Sequence, residues 1–230
     1  MIEKFLFKKN IYNKNTDPVS SYVLRLCDMV KKNRSLDEPI QNAEFSVVDT
    51  ETTGLEISSA RVINIAAVKV KNFKIVDFYN AFINPQMKIP PSSIDWHGIT
   101  DDMVKDKPIA VEVMPEFLKF VSDNPIVGHH IGFDVKMINK ELGEFFGCKL
   151  ENYTIDTMLL YSNAIVRKDT HVSLDYLFDV YNVVCTGRHT ALGDALATAE
   201  VFNKIIYQAN KSFDTVGDLF NIQKEISQNQ

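Results

Sequence analysis

The chain has 230 residues, a formal net charge of −5, and 45% hydrophobic against 24% charged residues. These proportions suit one globular domain with a short extension, and they exclude a disordered, collagen-like or disulfide-scaffold chain. No apolar run approaches the roughly 18 residues that a bilayer crossing needs, and the N-terminus lacks the apolar stretch of a secretory signal.

In chain order, residues 1–17 show weak periodicity and read as an arm. Tyr22, Val23, Leu26, Cys27 and Val30 then recur at helical spacing, so residues 18–32 are expected to form an amphipathic helix. Residues 35–39 read as a linker. This first part is basic: residues 1–40 carry eight Lys/Arg and five Asp/Glu, whereas the remainder carries 17 and 25. The main domain is expected from residue 44, giving an arm and helix over 1–43 and a domain over 44–230. Phe45, Ser46, Val47 and Val48 form a buried-strand pattern that ends at Asp49. Residues 62–70 and 75–83 are β-branched and aromatic, split by Lys71-Asn72, and read as a hairpin. Residues 85–91 read as a loop. Helices are expected near 109–122, 132–146, 174–180, 190–209 and 214–227, with short strands near 125–128 and 152–156. Three strands followed by alternating helices and strands predict an α/β domain with a mixed sheet. Cys27, Cys148 and Cys185 have no paired spacing and read as free thiols of a reducing, cytoplasmic compartment.

The chemistry concentrates in carboxylates. Asp49 and Glu51 stand two residues apart on an extended chain, so they point to one side. They sit where an apolar strand ends, a common ligand position in open α/β sheets. Paired carboxylates repel unless a proton or cation intervenes, and a hard cation such as Mg²⁺ takes oxygen ligands. The competing reading is turn chemistry. Asp134 opens the helix with Met137, Ile138, Leu142 and Phe145, where the helix dipole alone would account for it. Asp194 lies among Ala191, Gly193, Ala195 and Ala197; burial there demands a partner. His189 precedes it on a loop, placed to take a proton near neutral pH. His97 sits in Trp96-His97-Gly98-Ile99-Thr100, which reads as a helix cap or as rings stacking on a base. His129, His130 and His171 read as packing or hydrogen-bonding residues.

Taken together, FSVVDTETTGL (45–55), WHGIT (96–100), GHHIGFDVKMINKEL (128–142) and GRHTALGDALATAEVF (187–202), with SLDYL (173–177) more weakly, resemble the DEDDh, or DnaQ-like, 3′–5′ exonucleases of the ribonuclease H-like superfamily, and among them the epsilon proofreading subunits of bacterial DNA polymerase III. The resemblance implies a ribonuclease H-like α/β fold with a mixed five-stranded sheet flanked by helices, here preceded by a helical extension. It implies that Asp49, Glu51, Asp134 and Asp194 hold two divalent metal ions, Mg²⁺ or Mn²⁺, and that His189 is the general base. Position 190 is Thr190, not the tyrosine of the sister subtype. Thr52, Thr53, Gly54 and Leu55, with His97 and Phe133, correspond to positions near the terminal nucleotide. One departure is plain: His130-Ile131 stands where the family usually has Asn-Ala.

The implied activity is hydrolysis of DNA from single-stranded or frayed 3′ ends, releasing nucleoside 5′-monophosphates in proofreading or repair. RNA trimming by the same site is the alternative, and a non-catalytic module binding a polymerase or nucleic acid is a third. A polymerase is an expected partner and a membrane is not. No tail is long enough for a polymerase-tethering domain, which leaves a free-standing enzyme as an expectation too.

Overall fold

In a computed structural model of the protein, residues 18–33, 35–209 and 213–224 are described. The expected arm over 1–17 and the end of the last helix, 225–227, fall outside them. Helix α1 (Pro18–Asn33) is followed by three antiparallel strands, β1 (Glu44–Thr52), β2 (Val62–Lys71) and β3 (Lys74–Phe82). Helices α2 (Pro91–His97), α3 (Asp101–Val104) and α4 (Ala110–Val121) lead to β4 (Ile126–Gly128). Then come α5 (Gly132–Phe145), β5 (Thr154–Asp156), α6 (Thr157–Leu160), α7 (Leu174–Tyr181), α8 (Ala191–Ala209) and α9 (Val216–Ile222). The sheet order is β3-β2-β1-β4-β5, with β4 and β5 running parallel to β1. This is the expected mixed five-stranded sheet, and β1 is its central strand.

Strand β1 is buried on both faces, and its period of two sorts its residues between two cores. Phe45 and Val47 join Ala66, Val68 and Val70 of β2 under α8, through Ala195, Ala199, Val201 and Phe202. Val48 joins Ala67 under α4 and α5, with Met114, Phe117, Met137 and Ile138. Helix α1 lies on this second layer through Val23 and Cys27. The small residues on α8 are therefore a packing device that lets the helix come close to β1 and β2. Phe202 closes that layer, edge-on to Phe45 at 5.0 Å between ring centroids.

Three local differences from the sequence reading have physical reasons. The stretch beyond the predicted 85–91 loop is helical, because Pro91 preorganises the start of α2 and Gly98, at φ 72°, ends it. These helices cover a small third cluster of Ile63, Ile89, Ile99 and Val104. After α6 the chain widens into a π-helical turn, Tyr161–Val166, which periodicity does not announce. The linker is not a free tether: Ile40 N–H donates to Asp214 O, Val216 N–H to Glu38 O and Gly217 N–H to Leu36 O. It is zipped to the start of α9.

Phe202→Ala removes a fully buried ring from the layer that seats α8. The expected loss of unfolding free energy is about 3–5 kcal/mol by urea denaturation. A loss under about 1 kcal/mol would contradict the packing assigned to that layer.

Candidate active site

The strand parity that builds the two cores also builds the site. Asp49 and Glu51 continue the stripe of Phe45 and Val47, so they emerge on the α8 side. Asp194 lies in the first turn of α8. Carboxylate oxygens of Asp49, Glu51 and Asp194 come within 4.8 Å of one another. Thr50 continues the other stripe, on the α5 side, and meets Asp134 in the first turn of α5. Asp134 Oδ1 accepts the Thr50 backbone N–H at 2.9 Å and the Thr50 hydroxyl at 2.7 Å. Three predicted carboxylates thus converge, and the fourth is clamped to β1 beside them.

Burial and repulsion mark this group. Burial first, then the charges of Asp134, Asp194 and Glu51, holds the Asp49 carboxyl well above its ordinary range. Burial, reinforced by Asp194 and Asp134, pushes Glu51 up to about 7. Asp134 is also pushed up to about 7 by burial, against the opposing Thr50 hydrogen bonds. Asp194 is raised by burial and restrained chiefly by Arg188. Oxygen donors that hold protons for want of a countercharge are the donor set a hard divalent cation takes up. These residues therefore fit divalent metal ions, with Asp49, Glu51 and Asp194 as the convergent oxygen donors.

Arg188 was not singled out by sequence reasoning. Its guanidinium reaches Asp194 Oδ2 through Nη1 and grips Asp175 of α7 in a fork, at 2.8 Å and 3.1 Å. Both partners lie in quoted segments, Arg188 in GRHTALGDALATAEVF and Asp175 in SLDYL, but neither segment announces the pair. The His189 backbone N–H also donates to Asp194 Oδ2, at 3.2 Å. The His189 ring packs on Trp96, 4.6 Å between centroids. His189 sits at φ 61°, so it occupies the left-handed region where few non-glycine residues are found.

The remaining predicted residues divide. Thr52 and Thr53 are buried, with their hydroxyls bonded to Gly54 O and to the Arg61 N–H; they shape the loop. Leu55 is 84% exposed and Gly54 has open space where a side chain would stand. His97 is buried, and its Nδ1 accepts the Ile99 N–H at 3.0 Å. It braces the turn after α2. The exposed ring of that segment is Trp96, 66% accessible. Phe133 is half-buried against the α5 core. His129 bonds Thr157 and the Val172 carbonyl, and burial lowers it to about 4. His130 has φ 55°, a conformation asparagine tolerates well. The His130 ring stacks on His171 at 4.6 Å.

Comparison with known proteins gives the family and the fold. A family model described as Exonuclease (RNase_T) matches residues 46–202. The chain belongs to the exonuclease family. DNA polymerase III subunit epsilon of Aquifex aeolicus is 32% identical over 193 residues, covering 84% of this chain and 95% of that protein. DNA polymerase III PolC-type of Caldanaerobacter subterraneus is 40% identical over 163 residues, covering 71% of this chain but 12% of the relative. The chain thus spans about an eighth of the PolC-type relatives it matches. Among solved structures, Exonuclease X with 5′-overhanging duplex DNA superposes with a TM-score of 0.63 at 24% identity, covering 78% of this chain and 99% of that one. E. coli Exonuclease I with a dA16 oligonucleotide gives 0.64 at 16% identity, covering 74% and 42%. These two show a shared ribonuclease H-like fold.

The raised Glu51 carboxyl has a consequence for the metal-free exonuclease domain. Folding makes Glu51 hold its proton more tightly, so stability is lost as pH rises from about 4.5 to about 7. Glu51→Gln has no such loss. In EDTA, its unfolding free energy should match the wild type's at the acid end and exceed it by roughly 3 kcal/mol above neutrality. A difference independent of pH would mean that burial and the neighbouring carboxylates do not raise Glu51.

Proposed function

We propose that this chain is a metal-dependent 3′–5′ exonuclease acting on single-stranded or frayed DNA ends, in proofreading or repair, with a polymerase as its partner. The observation that carries this reading is the convergence of Asp49, Glu51 and Asp194 at the end of β1. The names of its relatives, polymerase III epsilon and PolC-type, support the polymerase context. The DNA bound in the Exonuclease X and Exonuclease I structures supports the substrate class.

In this reading the four carboxylates hold two divalent ions, Mg²⁺ or Mn²⁺. Bound there, the ions supply positive charge to the scissile phosphate and the departing 3′-oxygen. The protein's own groups do the rest. Asp49 and Glu51 project from the central strand and Asp194 from the first turn of α8, so neither ligand set moves independently of a packed core. Thr50 fixes the orientation of Asp134. His189 swings off Trp96 and takes the proton of the attacking water, a role open to an imidazole near neutral pH. Trp96 and Leu55 flank the end of the chain and offer apolar faces to bases. The amphipathic segment 18–32 serves as a strap on the exonuclease domain.

The test is degradation of a 5′-labelled single-stranded DNA oligomer with Mg²⁺ or Mn²⁺, resolved on a gel, with RNA of the same sequence in parallel. A ladder shrinking from the 3′ end is expected for DNA, abolished by EDTA, Asp49→Asn or Asp194→Asn. His189→Ala should lower turnover by roughly 10²–10⁴-fold. Trimming of RNA alone would overturn the substrate assignment, and full activity in Asp49→Asn would overturn the site.

A further inference from the structure

Two of the three cysteines, 121 positions apart in sequence, meet in space. Cys27 lies on α1 and Cys148 on the loop that leaves α5. The Cys27 thiol donates a hydrogen bond to Cys148 Sγ at 2.9 Å. Both are free thiols, and neither is part of the carboxylate site. Cys27 is 5% exposed, whereas Cys148 is half-buried. A surface groove lined by Asp28, Lys31, Gly147, Cys148 and Lys149 leads to the pair.

The two thiols are chemically unequal. The hydrogen bond from Cys27 lowers the Cys148 thiol. The same bond and burial raise Cys27. The thiolate is the nucleophile in disulfide exchange. The accessible cysteine is therefore also the one primed to attack, and the buried one stands behind it to resolve. A disulfide needs the sulfurs about 2.05 Å apart, so they must close by less than 1 Å. Gly147, at φ 71°, precedes Cys148 where α5 ends, so the movement falls on a loop and not on a packed helix.

We infer that Cys27 and Cys148 form a reversible disulfide that pins α1 to the exonuclease core. The oxidant is a low-molecular-weight disulfide such as oxidised glutathione. Cys148 thiolate attacks one of its sulfurs; a Cys148–glutathione bond forms and the other glutathione leaves as thiolate. Cys27 then loses its proton to water and attacks Cys148 Sγ. The Cys27–Cys148 bond forms and the second glutathione leaves. Two protein thiols are oxidised by two electrons, and one glutathione disulfide is reduced to two thiols. Cys185 is no partner in this: it lies beside Asp194, 3.5 Å from Oδ1.

The cross-link would tie the strap to the segment that ends α5, and α5 carries Asp134 in its first turn. It also closes a loop of more than a hundred residues, which restricts the unfolded chain strongly.

The full chain is equilibrated with oxidised glutathione, alkylated, digested and mapped by mass spectrometry. The expected product is a Cys27–Cys148 peptide lacking two hydrogens, with Cys185 alkylated. Tm should rise by roughly 5–15 °C, and dithiothreitol should reverse both changes. Cys148→Ser should abolish the cross-link and the Tm rise; it sits on a half-exposed loop, so it serves even if Cys27→Ser does not fold. Three alkylated thiols after oxidation, a stable glutathione adduct at Cys148 without closure, or a bridge that includes Cys185 would each overturn the inference. None of these readouts depends on nuclease activity.

Discussion

Four carboxylates crowded at the end of one buried strand cannot all be charged unless something positive joins them. That repulsion is the constraint around which this molecule is arranged. Each group is handled differently. Asp134 receives two hydrogen bonds from Thr50, and Asp194 receives a guanidinium from Arg188 and a backbone N–H from His189. Asp49 and Glu51 have no cationic group in contact among the described ion pairs, and they carry the strain as raised proton affinity. The rigid part of the fold is spent on keeping this unfavourable cluster together: a central strand buried on both faces and two helices that begin at its end. In the proposed reading, divalent ions would convert the same repulsion into binding energy, because they would supply the missing charge where the oxygens already converge.

The loop before α8 shows how closely the backbone is specified around that need. Gly187 is at φ 90°, and a Cβ on Gly193 would stand 2.1 Å from the Gly187 carbonyl oxygen. Only a glycine at 193 lets the loop fold back onto the first turn of the helix. Thr190 closes the turn, its hydroxyl donating to Gly187 O at 2.6 Å and accepting the Gly193 N–H at 3.1 Å. The result delivers Arg188 and the His189 backbone to one carboxylate. It leaves the His189 ring packed on Trp96.

Much of this was legible in the residues. The carboxylates at positions 49 and 51 follow from strand periodicity, and the close approach of α8 follows from its alanines. The loop position of His189 follows from its spacing to Asp194. What periodicity carries is the face of an element, so it finds residues that share a face. It does not find pairs between elements. Arg188 with Asp175, Trp96 with His189, and Cys27 with Cys148 each join different elements, the last two far apart in the chain, and nothing in either local pattern announces the partner. At His97 the sequence offers a helix cap or a ring stacked on a base; in the fold its Nδ1 accepts the Ile99 N–H, and its neighbour Trp96 holds the exposed surface. The helices over 91–104 were hidden because prolines read as loop until it is known that one of them starts a helix.

Charge decides how such a protein can hold a polyanion. Proteins that coat a duplex gain affinity by releasing counterions with many Lys and Arg contacts, and a chain of net −5 has no such surplus. Its basic excess lies in residues 1–40, mostly outside the segment that carries the site. In the proposed reading, attraction to phosphate must come from cations seated on the carboxylates, so the protein attracts nucleic acid only where the metal is. The exposed Leu55 and Trp96 then add contacts that any base can make, since every base offers a π-face. A site of this kind engages a chain end and little else. The net charge of −5 works in the same direction, because a duplex lying along the protein would meet net like charge. On this argument, preference for an end is a property of where positive charge is permitted to exist, and the four carboxylates set that location.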